Sequence, residues 1–334
     1  MIRRIALRCT AYGLAGLVAM LLGLQLALAA EPVQRVVRLG FVGSQTPSTA
    51  PRGVGAFWER LRELGWVKGE NLLVEERWAD GHLERLPDLM TDVVRAKVDV
   101  IVTYNTAAAV AAKKATNTVP IVDAVMGDPV GSGLAASLAH PGGNLTGLSM
   151  GYGEGIPSKF LELLQDVVPN LSSVAVIVSP SYPTSPEILK ALRSSAQIHR
   201  LKLQIIEVRD PENLDNAFEQ ARRQARSVLV LPNPMTTTHR EQITALAAKY
   251  RLPAIYALRD FVDAGGLMAY SPDLAVMFRR GADYVDKILK GAKPGDLPIE
   301  QPTRYQLIIN VRTAKALGIT IPESILLRAD EVIR

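Results

Sequence analysis

The chain has 334 residues, 48% of them hydrophobic and 21% charged, enough to bury a large core and long enough to favour two domains over one. Its 38 basic and 33 acidic residues give a formal net charge of +5, with no basic run and no basic-aromatic stripe, so nucleic acid is not an expected partner. Cys9 is the one cysteine, and His82, His140, His199 and His239 show no metal-ligand spacing; neither a disulfide framework nor a metal site is expected.

Taken in chain order, the first segment reads as a signal peptide over 1–30. Arg3, Arg4 and Arg8 form a basic start, Ala11 to Ala30 is apolar apart from Gln25, and Ala27-Leu28-Ala29 supplies a small-x-small cleavage pattern. Cleavage would remove Cys9 and the three arginines, leaving 35 basic residues and a net charge of +2. A mature chain free of cysteine suits the periplasm, an oxidising compartment. Beyond residue 30 no run of 18 apolar residues occurs, so a soluble mature protein is expected.

Strands and helices then alternate. A strand at 36–43 precedes a helix near 52–64 that ends at Gly65. Strand 71–78 leads to helix 84–96, strand 98–104 to helix 106–115, and strand 119–126 to a short helix near 132–139. After a glycine-rich stretch at 151–155 the order repeats, with strands at 173–179, 202–208, 227–232 and 253–257 and helices at 185–199, 213–224 and 237–250. The strands are nearly continuous Val, Ile and Leu runs, as in parallel sheets covered on both faces. Three strands of one half answer three of the other at an offset of roughly 130 residues, about one domain. The expected fold is α/β: two doubly wound parallel-sheet lobes with a ligand cleft between them. Gly151 to Gly155, Gly265-Gly266 and Pro298 to Pro302 mark three hinge crossings. Lobe I is assigned 35–150 with 268–299, and lobe II 151–267 with 300–334.

Open parallel sheets bind ligands beyond the carboxyl ends of their strands, where helix N-termini offer free N–H groups. Those positions hold Ser44, Thr46, Thr103, Asn105, Thr106 and Asp128 in the first lobe, and Ser179, Tyr182, Asn233 and Tyr256 in the second. Hydroxyls and helix ends suit a carboxylate, Asp128 an ammonium, and the tyrosines an apolar or aromatic body. A zwitterionic amino acid meets all three demands.

Several motifs carry a resemblance. Gly127-Asp128-Pro129-Val130-Gly131-Ser132-Gly133-Leu134, Pro141-Gly142-Gly143-Asn144-Leu145-Thr146-Gly147, Ala264-Gly265-Gly266-Leu267-Met268 and the tail from Asn310 to Pro322 resemble the ABC-transporter substrate-binding family associated with tryptophan/tyrosine-type uptake. The resemblance covers about 35–334. It implies a type I periplasmic-binding-protein fold with three crossings, no cofactor and no catalysis. The implied binding positions are Ser44, Thr46, Thr106 and Asp128, and the implied partners are a small-molecule ligand and a membrane permease with its ATPase, served by a monomer. Where relatives carry Gly-Thr-Pro this chain has Asn105-Thr106-Ala107, and where they carry Asn-Pro it has Ser179-Pro180. Those departures lie in the expected pocket walls.

Other chemistries leave weaker traces. Gly147-Leu148-Ser149-Met150-Gly151 matches a nucleophile elbow, but a glycine-rich stretch follows Ser149 where a helix should start. Gly131-Ser132-Gly133-Leu134-Ala135-Ala136 fits a loose dinucleotide pattern, yet it follows the fourth strand and Asp128 would repel a pyrophosphate. The alternatives to transport are therefore a periplasmic sensing module that reads the same ligand, and a serine hydrolase built on Ser149.

Overall fold

The computed structural model describes residues 36–152 and 155–334; the signal peptide expected at 1–30 lies outside them. The first lobe is built from β1 (Val37–Gly43), α1 (Gly53–Glu63), β2 (Leu72–Trp78), α2 (Leu86–Arg95), β3 (Val100–Thr103), α3 (Thr106–Ala115), β4 (Ile121–Met126) and β5 (Leu145–Ser149). Its strands are parallel throughout, in the order β2-β1-β3-β4-β5. Residues 39–43 and 100–103 are fully covered, because helices lie on both faces of a parallel sheet and leave the central strands no wet side.

The second lobe follows with α4 (Gly155–Val167), β6 (Ser173–Val178), α5 (Ser185–Ile198), β7 (Lys202–Glu207), α6 (Leu214–Gln224), β8 (Ser227–Val230), α7 (Pro234–Thr238), α8 (Arg240–Lys249), β9 (Ala254–Tyr256), α9 (Arg259–Asp263) and β10 (Met268–Ser271). The order β7-β6-β8-β9-β10 repeats that of the first sheet element for element. The internal repeat of the sequence is thus a repeat of topology.

From β10 the chain returns to the first lobe as α10 (Leu274–Leu289), which packs on α1, β4 and β5. Gly281 lets this helix lie on β4: a β-carbon there would sit 3.3 Å from that of Ala124. The chain then crosses back to add β11 (Gln306–Asn310), α11 (Val311–Ala316), α12 (Glu323–Arg328) and β12 (Glu331–Ile333). β11 runs antiparallel to β10 and parallel to β12.

Three expectations shift. The lobe boundary set at 268 moves to about 272, because Met268–Ser271 is hydrogen-bonded between β9 and β11 in the second sheet. The helix expected near 132–139 is a series of turns, where Asp128 accepts N–H bonds from Val130 and Gly131 and Gly133 has a φ of +71°. The helix expected at 237–250 is two, broken at His239. β5 is a strand that the sequence reading lacks, since Gly147 interrupts its short apolar run.

Candidate ligand cleft

Each sheet changes winding direction between its first and third strands, β1/β3 in one lobe and β6/β8 in the other. Helix N-termini diverge at such a point and leave a crevice. The two crevices meet. The loops after β1 and β3 supply Gln45, Pro51, Tyr104 and Asn105, those after β6 and β8 supply Tyr182, Thr184, Pro232 and Asn233, and α7 supplies Pro234 and Thr237. Val125, Gly127, Met150, Tyr152, Leu258 and Leu274 complete the wall. A cavity of about 70 Å³ lies between them.

The lobes touch around this space. Gly127 abuts Thr184, Tyr182 of the second lobe faces Thr106 at the start of α3, and Arg52 at the head of α1 pairs with Asp263 of α9 at 2.5 Å. The two lobes are in contact around the cleft.

Asn105 organises the first-lobe floor. Its φ is +95°, a conformation uncommon outside glycine and often found at functional sites. The side chain accepts from Ala108 N–H to cap α3 and donates from Nδ2 to Ser44 Oγ at 2.7 Å. Its own N–H reaches Asp123 Oδ1 at 3.3 Å, and Val125 N–H reaches the same oxygen at 2.8 Å. Asp123 is wholly buried, and its Oδ2 has no hydrogen-bond partner. Burial pushes its carboxyl up to about 8, against the opposing pull of the Val125 and Asn105 N–H groups. Burial, and then the nearby Asp123, also raise the Tyr182 phenol.

Two polar atoms of residues that line the cavity, Gln45 Oε1 and Tyr152 OH, are buried without a hydrogen-bond partner. Burial raises the phenols of Tyr104 and Tyr152, so these rings present neutral hydroxyls. Buried polar groups in proteins are nearly always satisfied. Gln45 and Tyr152 line the cavity, whereas Ser227, Thr238, Tyr256 and Ser271, which also carry unpartnered buried atoms, do not.

Of the ten residues expected from sequence, Asn105, Tyr182 and Asn233 line the cavity. Asn233 also caps α7 through a reciprocal pair of bonds with Thr236. Ser44 and Thr106 stand one layer behind: Ser44 Oγ holds Asn105, and Thr106 Oγ1 accepts from Gly127 N–H at 2.9 Å. The other five are engaged elsewhere. Thr46 bonds to Ser48 and Thr49, and Thr103 donates to Val42 O across β1 and β3. Asp128 closes its own turn, and the Ser179 carbonyl accepts from Ser185. Tyr256 stacks on Phe261 with ring centroids 4.7 Å apart.

Gln45, Asp123, Tyr152, Thr184 and Thr237 are absent from the sequence set. Asp123 did leave a trace, as a lone carboxylate inside the apolar run Val119-Pro120-Ile121-Val122-Asp123-Ala124-Val125, where a strand buried on both faces rarely accepts a charge.

Fold and site define a two-lobed solute-binding protein of the type I periplasmic-binding class. The comparison with known families makes this specific: the family described as ABC transporter substrate binding protein matches residues 48–333, and the chain belongs to it. It is 24% identical over 261 residues to the tyrosine-binding protein of Clostridioides difficile strain R20291, covering 78% of this chain and 75% of that one. A conserved domain protein from Vibrio cholerae superposes with a TM-score of 0.85 at 26% identity, over 89% of this chain and all of that one. The ABC domain in complex with L-Trp from Streptococcus pneumoniae superposes with a TM-score of 0.82 at 23% identity, over 89% and 99% of the two chains.

Proposed function

We propose that this substrate-binding protein captures an amino acid with an aromatic side chain in its interlobe cleft, as an exported monomer, and presents it to a membrane permease with its ATPase. The observation that carries the reading is the cavity walled by Tyr104, Tyr152 and Tyr182, with rings contributed from both sides of the crossing. Aromatic walls with buried hydroxyls suit a ligand whose body is flat and apolar and whose edge is polar. The tyrosine and tryptophan named for two similar proteins point the same way. Export is supported by the basic and apolar leader of the sequence; among the described residues no helix is long and apolar enough to cross a membrane.

Binding without catalysis is part of the proposal. Ser149, the candidate nucleophile, donates its hydroxyl to Gly127 O at 2.8 Å and accepts from Gly151 N–H at 3.1 Å. Both bonds tie the cleft floor to the first crossing, which is a structural task.

A thermal-shift and calorimetric panel of L-tyrosine, L-tryptophan, L-phenylalanine, L-leucine and L-glutamate tests the reading. A ligand that binds only the folded protein raises its melting temperature by mass action. A shift confined to the aromatic members supports the proposal; equal shifts for leucine or glutamate, or none at all, overturn it.

A further inference from the structure

Asp123 has a geometry that its own lobe does not explain. One carboxyl oxygen takes two backbone N–H groups, from Asn105 and Val125, while the other is buried with no donor. A buried carboxylate left half-satisfied is costly, and a cationic donor relieves that cost best. The titratable group that faces it is the Tyr182 phenol, which a neighbouring negative charge only makes harder to ionise. Among the described residues no cluster of three metal-ligating side chains exists, so a single carboxylate oxygen suits an organic cation and not a metal.

Asp123 is buried behind residues that line the cavity. Asp123 points towards the carboxyl edge of the first sheet, because its carboxyl meets the N–H of Asn105, two residues beyond the end of β3. Asn105, Val125 and Tyr182 all line the cavity. Of the three, Tyr182 belongs to the second lobe. Tyr182 thus faces Asp123 from the opposite lobe.

We propose that Asp123 is the cation subsite of the cleft: its free oxygen receives the primary ammonium of the amino-acid ligand, and Tyr182 closes over that pair from the opposite lobe. The inference rests on reading the cleft as an amino-acid site and names the residue that selects for the amino group. Asp128 uses one carboxyl oxygen, Oδ1, to close its own turn.

The test is a cycle of four affinities measured by calorimetry at pH 8. L-tyrosine and its deaminated analogue 3-(4-hydroxyphenyl)propanoate are each titrated into the wild type and into Asp123→Asn, with L-tryptophan and 3-(indol-3-yl)propanoate as a second pair. The wild type should prefer the amino acid by about 10- to 100-fold, the scale of a charge-assisted hydrogen bond. Asp123→Asn should remove most of that preference while leaving the deaminated acid nearly unaffected. Asp123→Ser completes the cycle if the Asn variant does not fold. Equal affinity of the wild type for both members of a pair overturns the inference and leaves carboxylate capture standing. A preference that survives in both variants also overturns it. No binding by any of the four compounds overturns the proposed function itself, and this subsite with it.

Discussion

Gly127 of the first lobe and Thr184 of the second meet so closely that a β-carbon on the glycine would lie 2.5 Å from the threonine methyl and 3.1 Å from its β-carbon. The Gly127 N–H is held at the same time by Thr106, so the loop cannot yield without losing a buried bond. Closure is therefore gauged at this point. Gly127→Ala should hold the lobes apart and weaken ligand binding by roughly tenfold, with the melting temperature of the free protein nearly unchanged. Thr184→Ala in the same chain removes the opposing methyl and should restore most of the loss. Thr184 caps α5 without a side-chain bond, so its truncation has little cost elsewhere. A double-mutant cycle by calorimetry measures the coupling; additive effects would show that this contact does not limit closure.

The pH dependence of the free protein follows from Asp123. Its carboxyl lies at about 8 in the fold against an ordinary value near 3.9. Between those limits folded Asp123 holds a proton that the unfolded chain has released, so this group's contribution to stability falls as pH rises from about 4 to about 8. Asp123→Asn carries no such proton. The variant should be at least as stable as the wild type at pH 8, and the gap should narrow as pH falls towards 5. Chemical denaturation at three or four pH values reads this directly, and a gap that does not change with pH would refute the assignment.

Much of the architecture was legible because its signals are local. Val37–Gly43, Val100–Thr103 and Ser173–Val178 are apolar runs stopped by turn residues, and their recurrence exposed the two lobes. The site was less legible because its residues act across lobes. Tyr182 lies far in sequence from Thr106 and Asp123, and only the meeting of the two lobes brings them together. Hydroxyls at strand ends looked like ligand groups, but those of Thr46 and Ser179 bond within their own loops and that of Thr103 donates to Val42 O on β1. Asp128 looked available for the same reason that Asp123 did not: exposure in a Gly-Asp-Pro turn reads as freedom, and burial in a strand reads as core. In the structure Asp128 Oδ1 closes its own turn, and Asp123 Oδ2 is buried without a hydrogen-bond partner.

The ion pair between Arg52 and Asp263 joins the lobes at the cleft rim, with the arginine side chain largely exposed. Exposed pairs contribute only about 0.2–1 kcal/mol and are screened by salt. Arg52→Ala should accordingly weaken ligand binding by about two- to fivefold in dilute buffer. Near 1 M salt, where the Debye length is about 3 Å, the two proteins should bind almost alike. An effect that persists undiminished in high salt would mean that Arg52 packs against the second lobe and does not act through its charge.

Gly147 supports the Asp123 subsite from behind. It pairs with Asp123 across β4 and β5, at a φ of +139° that side chains rarely adopt. A β-carbon there would overlap the Asp123 backbone carbonyl. Gly147→Ala must therefore strain the residue and push β4 and β5 apart, which should cost at least about 2 kcal/mol. Because the displaced residue is Asp123, the variant should also lose preference for an amino acid over its deaminated analogue. Gly133 is the control: its φ is also positive, at +71°, but a β-carbon there meets nothing within 4 Å. Gly133→Ala should cost only about 1–2 kcal/mol of backbone strain and leave ligand preference intact. Equal losses at the two glycines would show that backbone conformation, and not the approach of β5 to Asp123, accounts for the effect.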